Sequence, residues 1–413
     1  MIRVAVGIEA IGVYAGRASV GVREIFDRRS LDPSRFDNLM MERKSVGLPC
    51  EDAVTNAVNA AKPLVDALTE AERGAVEAVI VGTESGLDFG KPISTYVQEY
   101  LGLPRTCRSF EVKHACYGGT AALQTAVALI AATPVDGVKA LVIAADAASA
   151  TDRDSYWEPS QGAGAVAMLV GKDPHILELD PGASGLYSHE VMDTLRPRAD
   201  LEAGDSDLSL LSYLHCLEQA YRMYERRVDG CDLRSTFAHL VFHTPFAGMV
   251  KGAHRTLMRK VTGASPADIE ADFTHRLAPS LRYGRQVGNV YSASLYLALC
   301  SLIDNGALAP PQRAGLFSYG SGCASEFFSG VLPPGARARL AAQRLPEAIA
   351  ARHSLDWDDY EQVSDLAVHR MAGVRDHVFD PEPYDALYRK CLDGRGLLVL
   401  DRIKDFHRAY RWS

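Results

Sequence analysis

The stretch VEAVIVG at residues 76–82, together with VKALVIAA at 138–145 and GAGAVAMLVG at 162–171, constrains this chain more than any other feature. Such apolar runs are the mark of strands buried on both faces, which need helices above and below them. Helical segments alternate with the runs, so the fold class is α/β. Residues 51–72 read as one helix, and TAALQTAVALIAA at 120–132 as a helix apolar on nearly every face, hence a buried one. The later half repeats this grammar. FAHLVFH (237–243) is an apolar run ending in His243, and a helix covers 246–262. VYSASLYLALCSLIDNG (290–306) is an apolar helix ended by Gly306, and AGLFSYGSG (314–322) is a strand running into a glycine-rich turn. Similar element order in two halves suggests an internal duplication, although no residue-level repeat is visible. With 413 residues, 47% of them hydrophobic, the chain can bury a large core in two or three domains or in one duplicated domain.

Several function classes are disfavoured at once. A net charge of −8 argues against a nucleic-acid partner. No apolar run reads as long enough to span a bilayer, so no membrane is expected. The opening MIRVAVGIEAIGVYAG reads as a first strand, lacking the basic and apolar regions of a signal peptide. The 8 cysteines are scattered, without CxxC pairs, which fits a reducing cytoplasm and excludes the usual zinc spacings. HExxH, Walker A and strand-linked GxGxxG patterns are absent.

Candidate chemistry gathers at strand ends, where sites of α/β sheets form. In SFEVKHACYGGTAAL (109–123), Cys116 falls at a strand-to-helix turn. A free cysteine is usually an inert core filler. Near a helix N-terminus, however, the dipole and free N–H groups lower a thiol pKa and can hold an oxyanion, and Gly118 and Gly119 let a substrate approach the backbone. Glu84, in VGTESGLDFGK, is either a solvated loop residue or, given its small neighbours, a pocket carboxylate. His243 ends an apolar strand, where a satisfied core histidine is the commoner case. Asn289 is fully explained as a helix N-cap, and Ser321 as part of a tight turn. Taken together they comprise a thiol nucleophile, a carboxylate, a histidine and oxyanion-type donors. That set suits acyl transfer followed by carbon–carbon bond formation, provided burial raises the carboxylate pKa.

The motifs ACYGGTAAL, GTES, EPSQGAGAVAMLV, FHTPFAGMVKGAHR, VGNVYSASLYLALCSLI and GLFSYGSG resemble those of the 3-hydroxy-3-methylglutaryl (HMG) thioester synthases of the thiolase superfamily, over most of the chain. RFDNLMMERKSVGLP, TESGLDFGKPISTY and the ending GLLVLDRIKDFHRAYRWS resemble the branch that performs β-branching in polyketide assembly lines. The resemblance implies a thiolase fold, with duplicated βαβαβ halves (1–171 and 172–413) in a five-layered αβαβα sandwich, as a cytoplasmic homodimer. It implies that Cys116 carries acetyl, that Glu84 is the general base, and that His243 polarises the acceptor's β-ketone. Asn289 would bind substrate oxygen, and the N–H groups of Cys116 and Ser321 would form the oxyanion hole. No metal or redox cofactor is implied, and the partners would be donor and acceptor acyl carrier proteins. Lys251 and Arg255, on the helix after His243, are basic groups placed to meet a carrier protein or a CoA phosphate. His114 stands where the family has Asn or Gln. A primary-metabolism synthase acting on acetyl-CoA and acetoacetyl-CoA shares the chemistry, and residues alone do not separate the two. A ketosynthase III-like enzyme would not require Glu84. An inactive scaffold would have lost one of Cys116, Glu84 and His243.

Overall fold

In the computed structural model, which describes residues 5–148 and 153–413, alternate residues of the apolar runs go to different cores. Ala78 and Ile80 enter one cluster with Val142, Ala144 and Val166. Val79 and Val81 enter another with Leu141, Ile143 and Ala165. This is the period-2 geometry of strands covered on both faces.

The main-sheet strands are β1 (Gly7–Tyr14), β2 (Val76–Gly82), β3 (Arg108–Val112), β4 (Lys139–Asp146), β5 (Gly164–Gly171), β6 (Leu177–Ser188), β7 (His239–Phe242), β8 (Gln312–Gly320) and β9 (Ala324–Leu332). They form one nine-stranded sheet in the order β3-β2-β4-β5-β1-β6-β9-β8-β7. The duplication is legible here. β2 pairs in parallel with β3 and β4, and β4-β5 and β5-β1 are antiparallel. In the second half β7-β8 is parallel, while β8-β9 and β9-β6 are antiparallel, repeating the order without a counterpart of β3. Within the sheet the halves meet at the β1–β6 ladder, Gly7 with Glu178 and Ile8 with Leu177. The expected first strand begins at Gly7, and residues 1–4 of that stretch lie outside the described residues.

Five helices supply the remaining layers: α1 (Ala53–Asp66), α2 (Gly118–Ala132), α3 (Ser206–Arg227), α4 (Ala247–Thr262) and α5 (Ser294–Asn305). α1 packs outside the first half. α2 and α5 share a core with strands of both halves and form the middle layer. α3 and α4 cover the second half. The result is the αβαβα arrangement of a thiolase fold.

Two local expectations are corrected. The helix read over 51–72 is two, Ala53–Asp66 and Glu70–Gly74, because Thr69 starts a new capping box with Glu72. α2 is not buried all round: Thr125, Ala128, Ala131 and Ala132 are exposed, so its uniform apolarity comes from small residues that tolerate either environment. By length and composition residues 115–132 are, among the described residues, the one stretch apolar enough to cross a membrane. Here that stretch lies against β2 and β4.

The C-terminal segment is tied to the first half. Its strands Leu398–Lys404 and His407–Trp412 form a hairpin that meets the N-terminus of α1. Arg408 reaches the buried Asp52 carboxylate at 2.9 Å, and the Tyr410 hydroxyl donates to the same oxygen. Asp52 also caps α1 by accepting from the Thr55 N–H.

Candidate active site

β3 ends at Val112, and α2 begins at Gly118. Cys116 occupies the turn between them, after Ala115 in a left-handed conformation (φ 40°). The two glycines that follow are needed for packing. A Cβ on Gly82, at the end of β2, would lie 2.4 Å from the backbone of Gly118 and Gly119, and one on Gly119 would lie 2.8 Å from the Ser292 carbonyl. They therefore seat α2 on the sheet, where the sequence reading gave them to substrate. Gly82→Ala should lower stability by about 1–3 kcal/mol through overpacking and displace Cys116. Gly74→Ala, with nothing within 4 Å of the added methyl, should do neither. Thermal unfolding of the two variants checks this.

The thiol of Cys116 donates to Glu84 Oε2 at 3.5 Å. Its pKa lies well above the usual thiol range, chiefly through burial and then through the negative charges of Glu84 and Asp146. This reverses the expected lowering by the helix dipole, because desolvation and adjacent carboxylates outweigh a partial charge at the helix end. Glu84 is itself pushed up to about 8, first by burial, with Arg196 opposing and Asp146 and Glu202 adding to the rise. Burial thus raises the pKa of both partners, so that thiol and carboxyl hold their protons more tightly than usual, which is the shift the chemistry asked of Glu84.

Asp146, at the end of β4, holds this strand-end loop. Its Oδ1 accepts from the Thr83 hydroxyl and from the N–H groups of Glu84 and Ser85. Its Oδ2 accepts from the Ser292 hydroxyl at 2.7 Å, which ties the loop to the start of α5. A second anchor is Asp193. It accepts from the Tyr319 hydroxyl at 2.5 Å and from the Gly322 N–H at 2.9 Å, clamping the turn that holds Ser321. Sequence reasoning missed both aspartates. The strand-end position of Asp146 was an available signal; Asp193 lies in a polar stretch with none.

Cys116, Glu84, His243, Asn289 and Ser321 all line one cavity of about 600 Å³. His243 follows β7 and is buried, with burial lowering its pKa to about 3, so the ring is neutral. Its backbone is fixed on both sides, the N–H by Phe317 and the carbonyl by the Tyr213 hydroxyl. Asn289 Oδ1 accepts from the Tyr291 N–H and the Ser294 hydroxyl, which leaves its amide NH₂ to meet a ligand. The expected helix N-cap role is corrected: the N-cap of the short turn at 291–293 is Val290, that of α5 is Ala293, and neither has a side-chain cap, so the Asn289 side chain braces the chain just ahead of them. His114 also lines the cavity, neutral through burial despite Asp193, with its buried Nε2 unpartnered.

Lys251 and Arg255 are not brought to this site. Neither lines the cavity; Lys251 pairs with Glu270 at 2.7 Å and lies over Phe273, turned toward the following helix. The basic side chains that do line it are Arg35, Lys113 and Arg196. Among the described residues one group has the spacing of metal ligands, His189, Cys216 and Cys323, with donor atoms within 4.8 Å of one another. It lies behind the Ser321 turn, outside the cavity.

A thiol bonded to a proton-bearing carboxyl, at the middle of a duplicated thiolase fold, equips a chain to accept an acyl group and then extend it. Residues 4–175 match the family described as hydroxymethylglutaryl-coenzyme A synthase N terminal, and residues 254–382 match its C-terminal counterpart. The chain belongs to the hydroxymethylglutaryl-coenzyme A synthase family. It is 49% identical, over 99% of both chains, to the polyketide biosynthesis 3-hydroxy-3-methylglutaryl-ACP synthase PksG of Bacillus subtilis. It is 35% identical to the hydroxymethylglutaryl-CoA synthase of Enterococcus faecalis, over 86% of this chain and 90% of that one. A crystal structure of the curacin biosynthetic pathway HMG synthase in complex with holo donor-ACP superposes with a TM-score of 0.96 at 53% identity, covering 99% of this chain and all of the other. Family membership sets aside the ketosynthase alternative, and the loss of Cys116, Glu84 or His243 expected of a scaffold is not seen, since all three line the cavity.

Proposed function

We propose that this chain is an HMG-thioester synthase acting on acyl carrier proteins in polyketide β-branching. The observation that carries the chemistry is the 3.5 Å contact of Cys116 with Glu84, in one cavity with His243, Asn289 and Ser321. The greater likeness to the polyketide synthases than to the CoA synthase supports the choice of carrier.

The Cys116 thiolate attacks the donor's acetyl thioester, and the donor's thiol leaves. Glu84, as carboxylate, takes a proton from the acetyl methyl. The resulting carbanion attacks the β-ketone of the acceptor's acyl chain. A neutral His243 donates a hydrogen bond to that ketone but is a poor source of a whole proton, so the new alkoxide takes its proton from the Glu84 carboxyl. The Cys116 and Ser321 N–H groups hold the thioester oxygen. Water then cleaves the bond to Cys116, freeing the thiol and leaving a 3-hydroxy-3-methylglutaryl-type group on the acceptor carrier. These steps require no metal or redox cofactor.

The finer partners belong to the same proposal. Both donor and acceptor are carrier proteins. Two copies pair along β3, which among the described residues is an edge strand of the sheet and lies beside the exposed small residues of α2. The halves divide at 171/172, between β5 and β6. The enzyme works in the cytoplasm, where its free cysteines stay reduced.

Turnover with acetyl and acetoacetyl groups on carrier proteins, against the same groups on CoA, tests the reading. Carrier forms should have the higher specificity constants, because docking away from the reacting atoms supplies binding energy. The advantage should shrink as salt rises from 0.1 M to 1 M and the Debye length falls from ~10 to ~3 Å. Equal constants without a salt effect would return the chain to primary metabolism.

A further inference from the structure

Between β6 and α3 the chain makes a small hairpin, Thr194–Arg198 with Leu201–Gly204, whose residues Arg196 and Glu202 line the cavity. Arg196 Nη2 donates to Glu202 Oε2 at 2.6 Å and stands 3.6 Å from Glu84 Oε1. The guanidinium lies over the Tyr291 ring at 5.7 Å. Its Nε is buried and has no hydrogen-bond partner. Of the basic side chains on the cavity wall, Arg35 and Lys113 are exposed, whereas the Arg196 side chain is 17% exposed.

A pair with Glu202 alone accounts for one edge of the guanidinium and leaves a donor unused. Such a group is expensive to bury, and a native structure normally gives it a partner at some stage of its work. At rest Nε has no partner and Glu84 does not supply one, its Oε1 standing 3.6 Å from Nη2, beyond hydrogen-bond distance. The reaction proposed above does. When water cleaves the Cys116 thioester, the acyl carbon becomes a carboxylate, a full negative charge created in a largely desolvated place. Cys116 touches Glu84 and Glu84 neighbours Arg196, so the guanidinium stands one side chain away from the atom where that charge appears. Arginine presents planar paired donors that match a carboxylate, and such charge-assisted bonds are among the stronger ones. The hairpin is also fixed. Its Asp193 flank is bound to the Ser321 turn, and Glu202 accepts a contact from Gln161 at 3.5 Å.

We propose that Arg196, held by Glu202, forms a carboxylate-binding subsite that receives the free carboxylate generated from the Cys116 thioester. This rests on the HMG-synthase reading and adds to it the residue that recognises the hydrolysed end of the product. Before hydrolysis the same atom set is an uncharged thioester, so the subsite distinguishes product from covalent intermediate by charge.

The probes are 3-hydroxy-3-methylglutaryl-pantetheine and its methyl ester at the distal carboxylate, titrated calorimetrically into the wild type, Arg196→Gln and Arg196→Lys. The wild type should prefer the acid over the ester by ~10–100-fold, the range of a hydrogen bond to a charged group. Arg196→Gln should bind both alike, and Arg196→Lys should keep part of the preference. Intact-mass analysis of Arg196→Gln during turnover should show the condensed acyl group accumulating on Cys116, where the wild type releases it. No acid preference in the wild type, or the same preference in Arg196→Gln, overturns the proposal. If Arg196→Gln does not fold, the wild-type and Arg196→Lys titrations decide alone. Failure of the underlying reading shows separately, as a wild type that never condenses acetyl with a β-ketoacyl thioester.

Discussion

Cys116→Ala will gain no acetyl mass when mixed with an acetyl-loaded donor carrier protein, under conditions in which the wild type gains one. Cys116 is the cysteine on the cavity wall; Cys50, Cys216, Cys300, Cys323 and Cys391 are buried elsewhere, and Cys107 and Cys231 line other surfaces. Thiol–thioester exchange is nearly isoenergetic and keeps the acyl group activated, which a hydroxyl or a direct attack by water would not do. Loss of a nucleophile acts on overall turnover on the order of a millionfold. Because burial and the two carboxylates hold the thiol pKa high, acetylation of the wild type should accelerate as pH rises across the neutral range. Cys231→Ala, altered far from the cavity, should acetylate as the wild type does. Acetyl mass persisting on Cys116→Ala would place the nucleophile elsewhere.

Glu84→Gln should still acetylate Cys116 but lose condensation by ~10²–10⁴-fold, the usual contribution of a general base. The pH dependence separates chemistry from packing. With its pKa pushed up to about 8, Glu84 is mostly the acid at pH 7, and its basic form grows as pH approaches and passes that value. Condensation from preformed acetyl-enzyme should therefore rise with pH and level off above about 8. In Glu84→Gln that limb should vanish, since the amide does not titrate. Single-turnover measurement of both half-reactions against pH checks it. An equal loss in acetylation and condensation would assign Glu84 to thiol activation alone, through the same 3.5 Å contact.

Much of the catalytic layout was legible before any coordinates, for a definable reason. Strands buried on both faces leave continuous apolar runs, and their C-terminal ends are marked by the small and polar residues that follow. Glu84, Cys116, His243, Asn289 and Ser321 stand at or near such ends or at helix starts, and the structure brings all five to one cavity. The motifs around them carried the family. The strand order then displayed the duplication that residue comparison could not, because topology persists where side chains have diverged.

Tertiary structure alone decided the electrostatics and the supports. Asp146 lies 62 residues from Glu84 and 146 from Ser292, yet its carboxylate joins both. Arg196 comes to Glu84 on a hairpin whose polar sequence has no periodicity to read. The direction of the Cys116 shift was beyond reach for the same reason. The helix end is local and visible in the chain, whereas burial and the approach of Glu84 and Asp146 exist only once distant segments have packed. Gly118 and Gly119 were visible as a pair, but which neighbours crowd them, Val112 and Gly82 for the first and Ser292 and Ala144 for the second, was set by the distance between elements. Sequence by itself determined the kinds of groups and the strand ends that carry them, because hydrophobic periodicity is local. Their charges and mutual distances depend on desolvation and Coulomb interactions across the fold, and only the packed structure specifies those.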